Sequence, residues 1–292
     1  MSAAPPEEAW TIRRVLTWAT DDLKKRGSSS PRLDAELLLC KILKIDRVGL
    51  LIDADRPLAR HELMGYRELH QRRRAGEPVA YLLGVREFYG RPFAVDRRVL
   101  IPRPDTEHLV EVALSRTRHI SLSARVLDLC TGSGCVAISL GRERPTTHVL
   151  GADVSPDALA VAAENALRLG AYNVGLVRSD LFSAFQPGRD RFDLVTANPP
   201  YIAGGEVPSL PVDIRAYEPR LALDGGPEGL DLLRRIVADA PAFLAEGGAL
   251  AVEIGSDQGA AVQALFTAAG YRSVALQRDY GGLDRVVSGL RP

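Results

Sequence analysis

Cysteine, net charge and long apolar runs are all scarce in this sequence of 292 residues. The three cysteines (Cys40, Cys130 and Cys135) form no Cys-x-x-Cys pair, which disfavours a disulfide scaffold or a zinc site. The 37 basic residues balance the 37 acidic ones, so bulk charge gives no reason to expect direct nucleic-acid binding. No run approaches the roughly 20 apolar residues of a membrane span, and the acidic N-terminus does not resemble a signal peptide. We therefore expect a cytoplasmic protein without membrane contact or bound metal.

What is present is an ordinary globular composition, 46% hydrophobic and 25% charged, in a chain long enough for two domains. Residues 8 to about 76 show helical periodicity and predict a small bundle, which we assign to a domain of residues 1–78. Residues 79–102 predict a β-hairpin linker turning at Tyr89-Gly90-Arg91-Pro92. Residues 103–292 then form the second and larger domain.

In the second domain, short apolar strands alternate with helices. This pattern is typical of a parallel sheet covered by helices. The spacing around Tyr280-Gly281-Gly282 predicts a closing hairpin, which adds one antiparallel strand. The expected fold is α/β, a Rossmann-like sheet of seven mostly parallel strands. The predicted strands are Val126–Leu129, Val149–Ala152, Val174–Val177, Leu194–Ala197, Ala249–Ile254, Ser273–Leu276 and Arg285–Ser288.

Two loops stand out. Ile101–Glu107 contains two prolines, and Asp105 or Thr106 could cap the helix that follows. From the residues alone, a rigid linker with a helix cap is favoured over a substrate-facing loop. Ile202–Pro227 is unusually long and rich in proline and glycine, and loops of this length in a compact domain are usually functional or disordered.

A cofactor site is indicated where the first strand of the sheet meets its helix. The glycines of Asp128–Gly134 permit a tight turn and let a ligand lie against bare backbone at a helix N-terminus. Asp153, at the end of the second strand, can accept both hydroxyls of a ribose. Asp180, after the third strand, can accept an adenine amino group or simply be a turn residue. Gly132-x-Gly134-x-x-Ala137 also satisfies the dinucleotide fingerprint, so these residues alone leave the cofactor ambiguous.

The fourth strand leads into Asn198-Pro199-Pro200-Tyr201. The prolines prevent a helix there and leave backbone carbonyls without regular partners. An NH2 group could donate to the Asn198 side chain and to one of these carbonyls, with Tyr201 offering a flat face. The alternative is an ordinary Pro-Pro turn. A dehydrogenase has no use for such a clamp, whereas an S-adenosylmethionine-dependent methyltransferase needs ribose and adenine acceptors beside a positioned nucleophile.

With these motifs assembled, the chain resembles the class I S-adenosylmethionine-dependent methyltransferases, and among them the protein-glutamine N5-methyltransferases of release factors (the PrmC/HemK family). The resemblance covers nearly the whole chain. It includes the helical N-terminal domain and the motifs Ile101–Glu107, Asp128–Gly134, Asn198–Tyr201, Glu218-Pro219-Arg220 and Asp279–Val287.

The resemblance implies S-adenosyl-L-methionine as the cofactor and places the site residues. The cofactor-binding residues would be Cys130, Thr131, Gly132, Ser133, Gly134, Asp153, Asp180, Leu181 and Asn198. The catalytic and glutamine-binding residues would be Asn198, Pro199, Pro200 and Tyr201. This sequence has Cys130 where the family often has glycine, and Leu181 where some relatives have an aromatic residue.

The implied reaction is methylation of the glutamine in the Gly-Gly-Gln motif of class I peptide chain release factors, by a monomer whose helical domain helps dock the substrate. Two alternatives remain open. One is methylation of an exocyclic amine of a nucleic acid base, which the near-neutral N-terminal half disfavours. The other is a catalytically silent cofactor-binding scaffold, which the intact Asn198–Tyr201 motif disfavours.

Overall fold

The computed structural model describes residues 9–118 and 123–292, and the chain divides into two compact units, Met1–Gly84 and Val85–Pro292. Residue 8, where we expected the helices to begin, lies outside the described residues. Among the described residues, no helix combines the length and apolar character needed to cross a membrane.

The first unit is a bundle of short helices, as predicted. Thr11 begins it by accepting a hydrogen bond from the Arg14 amide, which satisfies one free N–H of the first turn. Buried aliphatic side chains such as Leu16, Leu38 and Leu39 form its core, with Tyr66 among them. The helices are α1 (Ile12–Lys25), α2 (Pro31–Leu43), α3 (Arg47–Ile52), α4 (Arg60–Arg74) and α5 (Val79–Leu83).

The predicted hairpin is confirmed, but it is shorter than the range 79–102 that we assigned to it. Its strands are β1 (Val85–Phe88) and β2 (Arg91–Ala94), joined by Tyr89 and Gly90, which both have positive φ. This is the backbone that a two-residue hairpin turn requires. Phe88 and Phe93 are buried in a core cluster of the second unit, so the hairpin packs as part of that unit. The preceding residues 79–83 form helix α5, which ends at Gly84 in the left-handed conformation.

The second unit contains the predicted mostly parallel sheet of seven strands, in the order β5-β4-β3-β6-β7-β9-β8. Only β9 runs antiparallel to its neighbours, which confirms the closing hairpin. The strands are β3 (Arg125–Leu129), β4 (His148–Asp153), β5 (Val174–Arg178), β6 (Phe192–Ala197), β7 (Leu244–Glu253), β8 (Arg272–Arg278) and β9 (Asp284–Leu290). The helices are α6 (Glu107–Arg116), α7 (Cys135–Glu143), α8 (Pro156–Arg168), α9 (Val212–Arg215), α10 (Asp231–Asp239) and α11 (Gly259–Ala268).

The strand order determines where a ligand can bind. β3 comes first in the chain among the sheet strands, yet it lies inside the sheet, between β4 and β6. The chain winds outward from β3 in both directions, so a crevice opens at the carboxyl ends of these strands. The strands themselves are apolar because helices cover both faces of the sheet.

Candidate active site

A cavity of about 360 Å³ opens at the carboxyl ends of β3, β4 and β6. Most of the predicted site residues line it, because the ends of parallel strands meet at one edge of the sheet. Those that line it are Cys130, Thr131, Gly132, Ser133, Asp153, Asp180, Leu181, Asn198 and Pro200. The predicted residues Gly134, Pro199 and Tyr201 are not in the lining.

The loop between β3 and α7 depends on backbone that L-residues rarely adopt. Gly132 and Gly134 have positive φ, and so does Cys130 at 55°. A Cβ on Gly132 would meet only the Cys130 carbonyl, at 3.9 Å, so its bare face is open to a ligand. A Cβ on Gly134 would lie 2.8 Å from Ile138 and 3.2 Å from Ala162. Gly134 therefore lets α7 approach α8, and Gly132 exposes backbone to the cavity.

The buried side chain of Asp128 supports the loop between β3 and α7. Asp128, which is 1% exposed, accepts hydrogen bonds from the hydroxyls of Thr131 (2.7 Å) and Thr196 (2.8 Å). Burial raises the pKa of Asp128 to about 6, although both hydroxyl bonds favour its charged form. Asp128 thus ties the loop to β6, the strand that leads into the Asn198 motif.

Asp153 ends β4, and its carboxylate is already oriented. It accepts hydrogen bonds from the backbone amides of Gly132 and Ser155, each at 2.9 Å. Burial raises the pKa of this carboxyl group, and the two amide bonds oppose the rise. A carboxylate has about four acceptor positions, so two amide bonds leave capacity for the paired hydroxyls of a ribose.

Asp180 and Leu181 follow β5 on the other side of the cavity. The Asp180 carboxylate is exposed and pairs with Arg235, which contacts both oxygens at 3.1 Å. An adenine amino group would therefore share Asp180 with Arg235. Leu181 has a positive φ of 49° and packs its side chain into the core while also lining the cavity.

The Asn198–Tyr201 motif directly follows β6, and hydrogen bonds hold two of its side chains. Asn198 Nδ2 donates a hydrogen bond to Thr106 Oγ1 at 3.2 Å. The Tyr201 hydroxyl donates to Glu253 Oε1, also at 3.2 Å, so the tyrosine ring packs inward against the core. The motif therefore turns its Asn198 and Pro200 toward the cavity and its Tyr201 toward the sheet.

The long loop 202–227 is ordered and packs against this motif. It contains short helical turns at Val207–Ser209, Val212–Arg215 and Arg220–Ala222. A Cβ on Gly229, just after the loop, would lie 2.2 Å from the Tyr201 carbonyl oxygen. Gln258 Nε2 donates to that same oxygen at 2.9 Å. Close backbone contact therefore fixes the end of the motif.

We expect Gly229→Ala to destabilise the protein more than Gly247→Ala. Both glycines have positive φ, but a Cβ at Gly247 would meet nothing within 4 Å. Gly247→Ala should cost about 1–2 kcal/mol, from left-handed strain alone. Gly229→Ala should cost about 1–3 kcal/mol more because its Cβ overlaps the Tyr201 carbonyl. Urea unfolding of the two variants measures the difference, and equal losses would show that close contact at Gly229 is unimportant.

The loop 101–107, which the residues alone assigned to a linker, instead borders the cavity, and that expectation was wrong. Pro102, Arg103 and Thr106 line the cavity. Arg103 pairs with the buried Glu218 at 2.5 Å, and Glu218 also accepts from the Ile101 amide. Of the two expected caps, Asp105 and Thr106, Thr106 occupies the N-cap position of α6, but its hydroxyl makes no capping hydrogen bond and contacts Asn198 instead. The ion pair between Arg103 and Glu218, which lie far apart in the sequence, holds this loop at the site.

Of the residues that support the site, Glu253 was missed in the sequence, and Thr106 and Glu218 were named only as members of motifs, without these contacts. Glu253 is the last residue of the apolar strand β7 and fell inside the predicted strand Ala249–Ile254, so it resembled an ordinary strand-end acid. Glu253 is 1% exposed and Glu218 is 6% exposed. An acidic residue at the carboxyl end of a buried strand was the available signal for Glu253, as it was for Asp153.

Comparison with known proteins first identifies the class. A family model described as "Methyltransferase small domain" matches residues 106–212, and one described as "PrmC N-terminal domain" matches residues 14–84. The fold is similar to that of a methyltransferase from Pyrococcus furiosus, with a TM-score of 0.52. That protein is 18% identical, and the match covers 70% of this chain and 90% of the other. The larger unit thus has a methyltransferase fold.

Sequence relatives identify the family within this class. A release factor glutamine methyltransferase from Geobacter sulfurreducens is 45% identical over 97% of both chains. A protein of the same description from Vibrio cholerae is 43% identical over 96% of both chains. This chain belongs to the release factor glutamine methyltransferase family, which confirms the resemblance seen in its motifs.

Proposed function

We propose that this chain transfers a methyl group from S-adenosylmethionine to the side-chain amide nitrogen of the glutamine in the Gly-Gly-Gln motif of class I release factors. The observation that carries the proposal is the position of Asn198. Its side chain lines the same cavity as Gly132 and Asp153 in a chain 45% identical to a release factor glutamine methyltransferase. An acceptor for the amide substrate and the groups for a nucleoside cofactor thus share one space.

The residues around the cavity suit S-adenosylmethionine. Gly132 leaves space where a side chain would otherwise stand, and the oriented Asp153 carboxylate has acceptor capacity for a ribose diol. Leu181, Val154 and Leu232 add apolar lining that suits an adenine ring. S-adenosylmethionine, when bound, supplies an electrophilic methyl group on a sulfonium.

The protein's own task is then to hold an amide nitrogen in line with that methyl. Asn198 Oδ1 would accept one hydrogen of the glutamine NH2 and the Pro199 carbonyl the other, so that the nitrogen lone pair faces the methyl group. As the nitrogen–methyl bond forms, the sulfur–methyl bond would break to leave the neutral thioether, and the nitrogen would release one of its two hydrogens to water as a proton. An amide nitrogen is a poor nucleophile, so orientation is the main contribution available without a strong base. The rigid prolines keep both acceptors in place.

The direct test incubates purified enzyme, S-adenosylmethionine carrying a labelled methyl group, and one macromolecule at a time. Release factor, total tRNA and duplex DNA serve as the alternative acceptors. We expect label on the release factor only. Label on tRNA or DNA and none on release factor would contradict the proposed substrate and favour methylation of a base amine.

We further propose that the helical N-terminal domain helps to recognise the release factor. A pocket for one primary amide discriminates poorly among the many glutamines of a cell, so selectivity needs contacts elsewhere. Intact release factor should therefore show a much higher kcat/KM than a short Gly-Gly-Gln peptide. Steady-state kinetics with both substrates measures this ratio. Equal kcat/KM values would contradict a docking role.

A further inference from the structure

The turn between β8 and β9 carries a highly exposed aromatic side chain. Tyr280 is 88% exposed in this turn, and Leu283 beside it is 53% exposed. β9 runs antiparallel to β7, and its Val286 pairs with Glu253, the last residue of β7. β9 therefore begins at the edge of the sheet where the parallel strands end. The turn, which we call the hairpin tip (residues 279–283), lies at the same edge as the cavity.

The hairpin tip and the proposed cofactor-binding acids lie on opposite sides of this edge. Asp180 and Asp153 lie at the ends of β5 and β4, and Asn198 follows β6 in the middle of the sheet. The hairpin tip lies beyond Asn198, where β9 and β8 complete the sheet. A protein whose glutamine reaches Asn198 must cover surface around the cavity. The side of the hairpin tip is the one that the proposed ribose and adenine acceptors leave free.

Hydrogen bonds to Asp279 fix the conformation of the hairpin tip. Asp279 Oδ1 accepts from the backbone amides of Gly281 at 2.9 Å and Leu283 at 3.0 Å. Asp279 Oδ2 pairs with Arg285 at 3.0 Å, and the Arg285 guanidinium also lies 3.3 Å from Asp105. Asp105 belongs to the loop that borders the cavity. One network of ion pairs therefore joins the hairpin tip to a wall of the cavity.

The Tyr280 side chain is held in its exposed position by helix α6. Its hydroxyl donates to Glu111 Oε1 at 3.0 Å, and its ring centroid lies 4.3 Å from that of His108. His108 Nε2 accepts from the Tyr280 amide at 3.3 Å, so the ring hydrogen is on Nδ1, 3.2 Å from Glu111 Oε2. A tyrosine that is both exposed and already oriented loses little conformational entropy when a partner covers it. Such side chains are common among the dominant contacts of protein interfaces.

Glu111 places a negative charge beside this ring. Within the described part of the chain, its carboxylate bonds the Tyr280 hydroxyl and the neutral His108 ring and makes no ion pair with Lys or Arg. These two bonds use about half of its acceptor positions. A Lys or Arg side chain is attracted to the face of a tyrosine ring, and a carboxylate next to the ring adds to this attraction. The ring and the carboxylate together therefore complement a basic side chain.

We propose that the hairpin tip docks the release factor, with Tyr280 and Glu111 binding a basic side chain of that protein. This inference rests on the proposed function, since it assigns the hairpin tip to the same protein substrate. Two observations favour this occupant. The hairpin tip continues the edge that a protein must cover to reach Asn198, and its charge complements a basic group. The contact lies outside the methyl-transfer site, so it contributes to substrate binding and leaves the chemical step unchanged.

Steady-state methylation of intact release factor is the first test. Tyr280→Ala should raise KM for the release factor about tenfold or more, with little change in kcat or in KM for a short Gly-Gly-Gln peptide. Tyr280→Phe keeps the ring and should fall between Tyr280→Ala and the unmodified protein. Tyr172→Ala is the matched control, because Tyr172 is 85% exposed but precedes β5, at the opposite edge of the sheet. Equal KM values for Tyr280→Ala and Tyr172→Ala would overturn the proposal.

Direct binding separates this inference from the proposed function. Release factor is titrated calorimetrically into the full-length protein with S-adenosylhomocysteine, which has no methyl group to transfer. Tyr280→Ala should weaken binding about tenfold, and Glu111→Gln should weaken it less and reduce its dependence on salt, because glutamine keeps an acceptor for the Tyr280 hydroxyl without the charge. Binding that neither variant changes, or no binding to the unmodified protein, would overturn the docking role. Tip-dependent binding of a release factor that is never methylated would support docking and contradict the proposed function.

Discussion

Asn198→Ala should reduce kcat for release factor methylation by about a hundredfold or more, the range seen when one positioned transition-state group is removed. The substitution deletes the acceptor that holds one hydrogen of the substrate NH2. The nitrogen lone pair then samples many directions, and few of them face the methyl group. The measurement is steady-state methylation of intact release factor at saturating S-adenosylmethionine.

Two controls separate this effect from a damaged protein. Among the described residues, the Asn198 side chain makes one hydrogen bond, to Thr106, so the thermal midpoint of Asn198→Ala should change little. Saturation with S-adenosylmethionine should be verified for the variant, because Asn198 lines the same cavity as the proposed cofactor-binding residues Gly132 and Asp153. A folded, saturated variant with near-normal kcat would show that Asn198 does not orient the substrate.

Asp153→Ala should weaken S-adenosylmethionine binding by about tenfold or more, since charge-assisted hydrogen bonds to a ribose contribute roughly 1.5–3 kcal/mol. The loss has two parts. The ribose hydroxyls lose their acceptor, and the amides of Gly132 and Ser155 lose the carboxylate that they now contact. Asp153→Asn keeps one acceptor oxygen, so its affinity for S-adenosylmethionine should lie between the affinities of Asp153→Ala and the unmodified protein. Isothermal titration calorimetry measures all three affinities.

Asp157→Ala is the matched control for charge. Asp157 lies four residues further along, in the first turn of α8, and it is exposed and absent from the cavity lining. Asp157→Ala removes the same negative charge without removing a ribose acceptor. The affinity of this variant for S-adenosylmethionine should therefore equal that of the unmodified protein. Unchanged affinity in Asp153→Ala, or tighter binding of NAD than of S-adenosylmethionine, would contradict the cofactor assignment.

Much of the fold could be predicted because local patterns and the global arrangement agree. The apolar strands, buried on both faces, were recognisable as short hydrophobic runs, and their predicted positions match β3, β4, β5 and β6 to within two residues at each end. The hairpin turn was visible because Tyr89-Gly90 interrupts alternating apolar residues. The predicted start of β7, Ala249, falls five residues after its observed start at Leu244, because Gly247 and Gly248 interrupt the apolar pattern within the strand.

The site was predictable where a residue follows its strand directly, and it was not where a residue arrives from a distant segment. Cys130 and Asp153 each lie at or just beyond a strand end, so the parallel sheet alone brings them together. Thr106 reaches Asn198 across 92 positions of sequence, and Arg103 reaches Glu218 across 115. Tertiary pairing of this kind leaves no periodic signal, which is why the loop 101–107 was assigned to a linker.

The most direct test of the central claim is to locate the methyl group by tandem mass spectrometry. Release factor is incubated with enzyme and S-adenosylmethionine, digested and sequenced, beside a release factor whose Gly-Gly-Gln glutamine is replaced by asparagine. The account predicts a mass increase of one methyl group on the side chain of that glutamine, and none on the asparagine variant. A methyl group on another residue, or on both release factors equally, would contradict it.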